Sequence, residues 1–170
     1  MLFLVAGCKG NAQVRGESVD DPVRPSVFVV LQPLPFEPEQ ARIVLQYGRV
    51  IARAEWNQYD DACFVELRQV PREAGRVATG TFSVVDIRHT LDAVVYRAPM
   101  VRLAALQRVN EVDGGGSKAY HEGYHFVLES AAQPGVFRLS CYGDYAEPPD
   151  LEPPTLADIR RVLGELASLR

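Results

Sequence analysis

The sequence predicts a mainly β fold, an antiparallel sandwich or partly open barrel with one C-terminal amphipathic helix. Short apolar runs rich in β-branched and aromatic residues recur along the chain, and several alternate with polar residues at the period of a strand. Turn-forming residues separate these runs. Only residues 155–169 repeat apolar side chains at helical spacing. A lone helix after several strands is expected to cover an open sheet face or a barrel mouth.

The composition is that of one globular domain without an electrostatic preference for nucleic acid. The chain has 170 residues, of which 47% are hydrophobic and 24% charged, and its formal net charge is −4. Lys and Arg are scattered along the chain, so there is no basic stripe for phosphates and nucleic acid is not an expected partner. Neither a phosphate-binding loop nor a dinucleotide motif occurs, and no cofactor is expected.

The N-terminal residues MLFLVAGC form an apolar run that ends in small residues followed by Cys8. This order resembles the lipobox of bacterial lipoproteins, in which the signal segment is cut before a cysteine that carries diacylglycerol. Residues 1–8 are interpreted as a signal-peptide remnant, and residues 9–25, which lack apolar periodicity, as a flexible linker. Residues 26–170 form the single β-rich domain. The alternative is a buried first strand that contains Cys8.

Strands are expected wherever the apolar pattern is short and bounded by turn residues. Tyr47-Gly48 is predicted as a two-residue hairpin turn, since Gly readily adopts a positive φ. Pro134-Gly135 is predicted to join the last two strands as a hairpin. The predicted strands are 27–31, 41–46, 50–56, the segment around Cys63, 81–87, less clearly 91–109, then 124–130 and the segment around Cys141.

Cys63 and Cys141 both lie on the apolar side of an alternating strand pattern. Cys63 shares its side with Val65, and Cys141 shares its side with Leu139. Both sulfurs are therefore expected to point into the core. In an oxidising periplasm the even pair predicts a Cys63–Cys141 disulfide, and in a cytosolic protein the same residues would be core thiols.

The C-terminal helix is predicted over residues 155–169. Thr155 is the expected N-cap, and Asp158 lies three residues later in the manner of a capping box. Gly164 interrupts the pattern and costs a helix on the order of 1 kcal/mol relative to Ala. The predicted buried stripe consists of Leu156, Ile159, Val162, Leu163, Leu166 and Leu169.

Several segments together resemble a group of uncharacterised proteobacterial lipoproteins. They are ARIVLQYG at residues 41–48, YDDACFVEL at residues 59–67, Cys141, and Leu163-Gly164 in the closing segment. The resemblance covers roughly residues 26–170. It implies a lipid-anchored envelope domain and supplies no catalytic residues. In lipoproteins an Asp after the lipidated cysteine signals inner-membrane retention, so Lys9 favours the outer membrane, with the domain facing the periplasm.

The segment His121-Glu122-Gly123-Tyr124-His125 matches the H-E-x-x-H signature of zinc peptidases. That chemistry requires a helix, on which the two histidines are about 5–6 Å apart and can share one metal. On a strand they would be roughly 13 Å apart. The alternation that begins at Tyr124 favours a strand, so these residues are interpreted as surface histidines and no metal site is expected.

The sequence therefore predicts a lipid-anchored envelope protein with a non-enzymatic binding or structural domain. Its partners are the membrane, through the anchor, and an envelope protein, a glycan or a lipid as ligand. The alternative is a zinc-dependent hydrolase that uses His121, His125 and, as general base, Glu122. A third hypothesis is a small-ligand carrier, if a cavity lies beneath the C-terminal helix.

Overall fold

The computed structural model describes residues 24–93, 120–146 and 150–170. In these ranges the chain forms short and long β-strands, one α-helix (α1, Leu156–Leu163) and one 3₁₀ helix (Arg53–Glu55). The strands are β1 Val27–Val30, β2 Leu34–Phe36, β3 Arg42–Gln46, β4 Arg49–Ile51, β5 Ala62–Leu67, β6 Gly75–Val77, β7 Gly80–Ala93, β8 Tyr120–Glu129, β9 Val136–Ala146 and β10 Ala167–Leu169.

The strands build one large antiparallel sheet and one small one. The large sheet has the order β10-β1-β7-β8-β9-β5-β3-β4 and curves into a half-barrel, while β2 and β6 form a separate two-stranded sheet. The predicted mainly β fold with one C-terminal helix is confirmed. The predicted turn between β3 and β4 is also confirmed, because Tyr47 and Gly48 have φ angles of 55° and 70°.

The main core lies between the large sheet and α1, on the face we call the inner face. Phe126 and Leu128 of β8 are fully buried there, as the alternation predicts. Ile159 and Leu163 of α1 are also fully buried and belong to the same cluster. Among the described residues, side chains of the helix and of the sheet therefore meet beneath the helix. The small-ligand carrier hypothesis stays a prediction.

The helix ends at Leu163, and the prediction of a helix through residue 169 is wrong in its second half. Gly164 adopts a φ of 54°, and a Cβ at this position would lie 2.7 Å from the Cα atom of Gly48. The β3–β4 turn thus packs directly on the helix terminus, where the Gly48 N–H donates to the Val162 carbonyl at 2.9 Å. Glycine at position 164 is required by both the backbone conformation and this close approach.

The residues after the helix form β10, which pairs with β1 at the edge of the sheet. Leu169 lies opposite Phe28 in this pairing and is fully buried. Its predicted burial is correct, although it is reached by a strand and not by a helical turn. The predicted capping box at the start of α1 is present, since the Asp158 N–H donates to Thr155 Oγ1 at 3.2 Å and Asp158 Oδ2 accepts from the Thr155 N–H at 3.0 Å.

The predicted strand over residues 50–56 is wrong beyond Ile51. There the chain leaves the sheet through the 3₁₀ helix and folds back over the outer face, the face opposite α1. Trp56 packs edge-on against Phe64 of β5, with 5.2 Å between ring centroids. Alternation at residues 50 to 56 cannot distinguish a strand from a segment that covers the sheet.

Three sequence predictions concern residues outside the described ranges. Cys8 lies outside them, as do residues 9–23 of the predicted linker and most of the predicted 91–109 segment. Within the described ranges, neither helix has the length and apolar character that a membrane span requires.

Candidate functional site

The two core cysteines are direct neighbours in the sheet. Cys63 of β5 lies opposite Cys141 of β9, with 4.1 Å between Cα atoms and 2.04 Å between sulfur atoms. Both residues are fully buried and belong to the main core. The prediction that both side chains point inward is confirmed, and the pair is positioned to form a disulfide. Its burial makes it a structural feature, so a ligand site must be sought elsewhere.

The H-E-x-x-H segment lies in β8, so the predicted strand is confirmed and the helix that a zinc peptidase needs is not formed. The three side chains have separate partners. Glu122 pairs with His89, with 2.7 Å between Oε1 and Nε2. His121 contacts the Gly143 carbonyl at 3.3 Å, whereas His125 contacts the Tyr142 hydroxyl at 2.9 Å. No group of metal-ligating side chains suited to a metal ion occurs in the described residues.

His121 is buried, with 5% of its surface exposed, so its assignment as a surface histidine is wrong. The pairing of β8 with β9 shifts register between His121 and Gly123. A Cβ at position 123 would lie 2.1 Å from the Cys141 carbonyl oxygen, so only glycine allows this approach of the two strands. Trp56 covers the imidazole of His121, with 5.6 Å between ring centroids.

Trp56 and His121 border a cavity of about 450 Å³ on the outer face, which we call the aromatic cleft. Its aromatic wall consists of Trp56, Phe64, His121 and Tyr142. The rings are in mutual contact, and the Tyr142 centroid lies 5.8 Å from that of Phe64 and 5.9 Å from that of His121. A volume of this size is within the range of small-molecule sites, roughly 300–1,000 Å³.

Two nitrogen atoms in this wall have unused hydrogen-bonding capacity. Trp56 Nε1 and His121 Nε2 are buried and have no hydrogen-bond partner among the described residues. An indole N–H can only donate, and a buried one usually has an acceptor. The wall of the aromatic cleft therefore contains polar groups that the described part of the chain does not satisfy.

The rim of the aromatic cleft carries charges of both signs. Arg42 and Arg53 supply guanidinium donors, while Glu39 and Asp92 supply carboxylate acceptors. Arg42, Arg53 and Glu39 are exposed. The formal charges of the four side chains cancel, so the rim offers hydrogen bonds in both directions without a net charge.

The loop that carries Trp56 is held on the outer face by Gln46. This side chain is fully buried in β3. Its Nε2 donates to the carbonyls of Asn57, Asp60 and Asp61 at 2.9, 3.2 and 3.2 Å. Its Oε1 accepts from the Asn57 N–H at 3.1 Å. One glutamine thus satisfies several loop groups, which positions Trp56 over the sheet.

A directed chain of hydrogen bonds leads to Asp92 at the rim. Arg138 Nη1 lies 3.2 Å from His125 Nδ1, and since arginine only donates, Nδ1 must accept. The His125 proton is therefore on Nε2 and is donated to the Tyr142 hydroxyl at 2.9 Å. Tyr142 in turn donates to Asp92 Oδ2 at 2.7 Å. The arrangement fixes the orientation of Asp92.

This chain of hydrogen bonds begins at a buried carboxylate, that of Glu66. Glu66 is 4% exposed, and its oxygens accept from Arg138 Nη2 and Ser140 Oγ, each at 2.7 Å. Arg42 Nε lies 3.7 Å from Glu66 Oε1. The cost of burying the Glu66 charge is offset by these donors.

The protonation states follow from burial and from these contacts. Burial lowers the pKa of His121, and burial together with the charge of Arg138 lowers the pKa of His125. Burial and the hydrogen bond to Asp92 raise the pKa of Tyr142. Burial by itself would raise the pKa of Asp92. The hydrogen bonds that Asp92 accepts, chiefly from Tyr142, outweigh this effect and hold its pKa below the usual value. At neutral pH the imidazoles are neutral and Asp92 is ionised.

The free energy of unfolding should fall as the pH is lowered from about 7.5 to about 5. Unfolded histidines take up protons near 6.5, whereas His121 and His125 resist protonation in the folded domain. Both therefore stabilise the fold above pH 6.5, and this contribution is lost as the pH falls. Urea denaturation of the double variant His121→Gln/His125→Gln should show a flatter pH dependence. Gln69→Ala, at an exposed position without a titratable group, is the control and should keep the wild-type slope; an unchanged slope in the double variant contradicts the assignment.

Apart from His121, the residues of the aromatic cleft carry no motif that marks them as a site in the sequence. Phe64 and Glu66 lie opposite the cysteine side of β5, yet they are 5% and 4% exposed. An aromatic residue opposite the apolar side of a strand is the available signal for a second covered surface. Asp92 and Tyr142 are 50 residues apart, and no local pattern links them.

No family model, no curated protein and no solved structure matches this chain.

Proposed function

We propose that this protein is a lipid-anchored protein of the bacterial envelope and that its β domain is a non-enzymatic binding module for a glycan. The anchor is Cys8, within the lipobox-like run, and Lys9 supports the outer membrane with the domain facing the periplasm. The binding site is the aromatic cleft. The observation that carries the binding role is its wall of packed aromatic rings beneath a charge-balanced rim.

The chemistry of the aromatic cleft matches a sugar better than a charged ligand. A pyranose ring has a C–H-rich face that packs on aromatic rings and hydroxyl groups that both donate and accept hydrogen bonds. Arg42 and Arg53 can donate to such hydroxyls, and Glu39 and Asp92 can accept from them. Because the rim charges cancel, a neutral polar ligand binds without leaving an unpaired charge.

Asp92 and Glu66 both accept hydrogen bonds from other side chains of the protein, which favours binding over catalysis. Asp92 Oδ2 accepts from Tyr142 at 2.7 Å and Oδ1 accepts from Thr90 Oγ1 at 3.0 Å. Glu66 is buried, and its two oxygens accept from Arg138 and Ser140. A general base requires a carboxylate or imidazole within reach of the substrate proton. These side chains instead hold one another in place.

Fluorescence titration tests the ligand assignment directly. Trp56 is the only tryptophan in the chain, so its emission reports on the aromatic cleft. A neutral soluble oligosaccharide such as chitotetraose should cause a saturable change in emission. Arg53→Ala should weaken this binding by about tenfold, because a hydrogen bond from a charged group is lost. Arg49→Ala removes an exposed arginine outside the cleft and should bind as wild type. Absence of saturation, or equal affinity in the two variants, would refute glycan binding.

Cell fractionation tests the anchor independently of the ligand. Cys8→Ala should move the protein from the membrane fraction to the soluble fraction or leave it unprocessed. The lipidated form should not dissociate, since each buried CH₂ contributes about 0.8 kcal/mol and the lipoprotein anchor carries several acyl chains. Cys8→Ala protein that stays in the membrane with unchanged electrophoretic mobility would contradict the lipobox assignment.

A further inference from the structure

A second and larger cavity, of about 830 Å³, lies between the end of the β5–β9 pair and the small β2–β6 sheet. Arg68, Arg72 and Arg76 all line it, and we call it the arginine cleft. It arises where the β5–β9 register shifts at Glu66 and Leu67, after which the chain continues into the loop that carries two of the arginines.

The walls of the arginine cleft are held by specific contacts. The Arg68 N–H donates to the Gly135 carbonyl at 2.8 Å, and Arg68 Nε donates to the Pro134 carbonyl at 3.0 Å. On the opposite side, Gln133 bonds to Ala78 twice, accepting from its N–H at 2.9 Å and donating to its carbonyl at 3.0 Å. The β8–β9 turn is thereby fixed both to the end of β5 and to the segment after β6.

Arg68 is oriented by these contacts without being neutralised. Its guanidinium lies over the ring of Phe137, with 5.6 Å between Cζ and the ring centroid. The hydrogen bond to Pro134 uses only Nε of Arg68, so the N–H groups of the two terminal nitrogens can donate to a ligand. Packing on an aromatic ring and one backbone hydrogen bond restrict this side chain, which lowers the entropy cost of binding an anion.

The arginine cleft is strongly cationic in a chain whose formal net charge is −4. Among the described residues, no Asp or Glu lines it. Across the part of the chain that the structure describes, none of Arg68, Arg72 and Arg76 forms an ion pair with a carboxylate. Arg72 and Arg76 are exposed. Unneutralised guanidinium groups around one cavity are suited to bind phosphate or carboxylate through paired hydrogen bonds.

The floor of the arginine cleft is apolar. Val77 and Val136 are buried beneath it, and Phe36 and Leu67 are partly buried and pack on the main core. Val70, at its edge, is 60% exposed. An exposed apolar surface bordered by cations accommodates a ligand with an alkyl part and an anionic part.

We propose that the arginine cleft binds a single anionic amphiphile, with a phosphate head group at its three arginines and an alkyl chain along Phe36, Leu67 and Val70. The charge of the cleft selects the head group and the apolar floor selects the chain. Val70 also lines the aromatic cleft, but no residue of the aromatic wall lines the arginine cleft, so this test does not depend on glycan binding.

Isothermal titration calorimetry of the unlipidated full chain provides the test. The probe is monomeric lysophosphatidylglycerol below its critical micelle concentration. Saturable binding is expected, and Arg72→Gln/Arg76→Gln should weaken it at least about tenfold, since two charge-assisted contacts are lost. The matched control is Arg24→Gln/Arg49→Gln, which removes the same charge from exposed arginines outside the cleft and should change the affinity less than about twofold. Unchanged thermal midpoints establish that both variants are folded.

Two further ligands distinguish the parts of the proposal. Glycerol phosphate carries the head group without the chain, and lysophosphatidylcholine carries the chain with a zwitterionic head group; both should bind at least about tenfold more weakly. Glycerol phosphate binding as tightly as the lysolipid would overturn the role of the apolar floor. Equal binding of lysophosphatidylcholine, or equal weakening in the control variant, would overturn the role of the arginines. Failure of the aromatic cleft to bind glycans would leave each of these outcomes unaffected.

Discussion

Replacing both Cys63 and Cys141 with alanine should lower the free energy of unfolding by about 4 kcal/mol. The two cysteines are separated by 78 residues, and in the chain-entropy model a cross-link that closes a loop of this length restricts the unfolded chain by about that amount. The free energy of unfolding of a whole domain is typically about 5–15 kcal/mol, so the loss is a large part of its stability. Urea denaturation of the variant and of oxidised wild type measures the difference.

Thiol labelling establishes whether the pair is oxidised in cells. In a Cys8→Ala background only Cys63 and Cys141 can react. Native protein should label neither residue, because both are fully buried. Denatured protein should label two thiols only after reduction. Two labelled thiols in denatured, unreduced protein would mean that the residues are core thiols in the cell, and that result would count against the periplasmic location.

Glu66→Leu should destabilise the domain by about 3–5 kcal/mol, the usual cost of removing one partner of a buried ion pair. The substitution leaves Arg138 and Ser140 without the carboxylate that accepts from both at 2.7 Å. Arg138 also donates to His125, so its displacement should disturb the hydrogen-bond chain to Asp92. Denaturant unfolding monitored by circular dichroism gives the stability change.

Two comparison variants make the Glu66 result specific. Asp86→Leu removes a carboxylate from an exposed ion pair with Arg88, and its cost should be below about 1 kcal/mol. Glu66→Leu/Arg138→Met removes both charged partners and should recover part of the loss, because no uncompensated charge remains buried. If Glu66→Leu is no more costly than Asp86→Leu, the buried network contributes little to stability.

Local patterns in the sequence determined much of the sheet. Alternation at residues 124 to 128 predicted β8 and its inward side chains, because side chains of successive strand residues point to opposite faces. The same rule placed Cys63 and Cys141 in the core. Tyr47-Gly48 predicted a turn and Thr155 predicted the helix start, since both depend on backbone chemistry within a few residues.

Only the tertiary structure decided what those local patterns leave open. Alternation distinguishes the two faces of a strand, but it does not reveal that Trp56 returns to cover the second face, since that depends on contacts distant in sequence. Strand pairing brings Asp92, Tyr142 and Glu66 into one network on that face. The contact of Gly164 with Gly48 likewise decided where the helix ends, because a helical apolar repeat carries no information about a turn that packs against it.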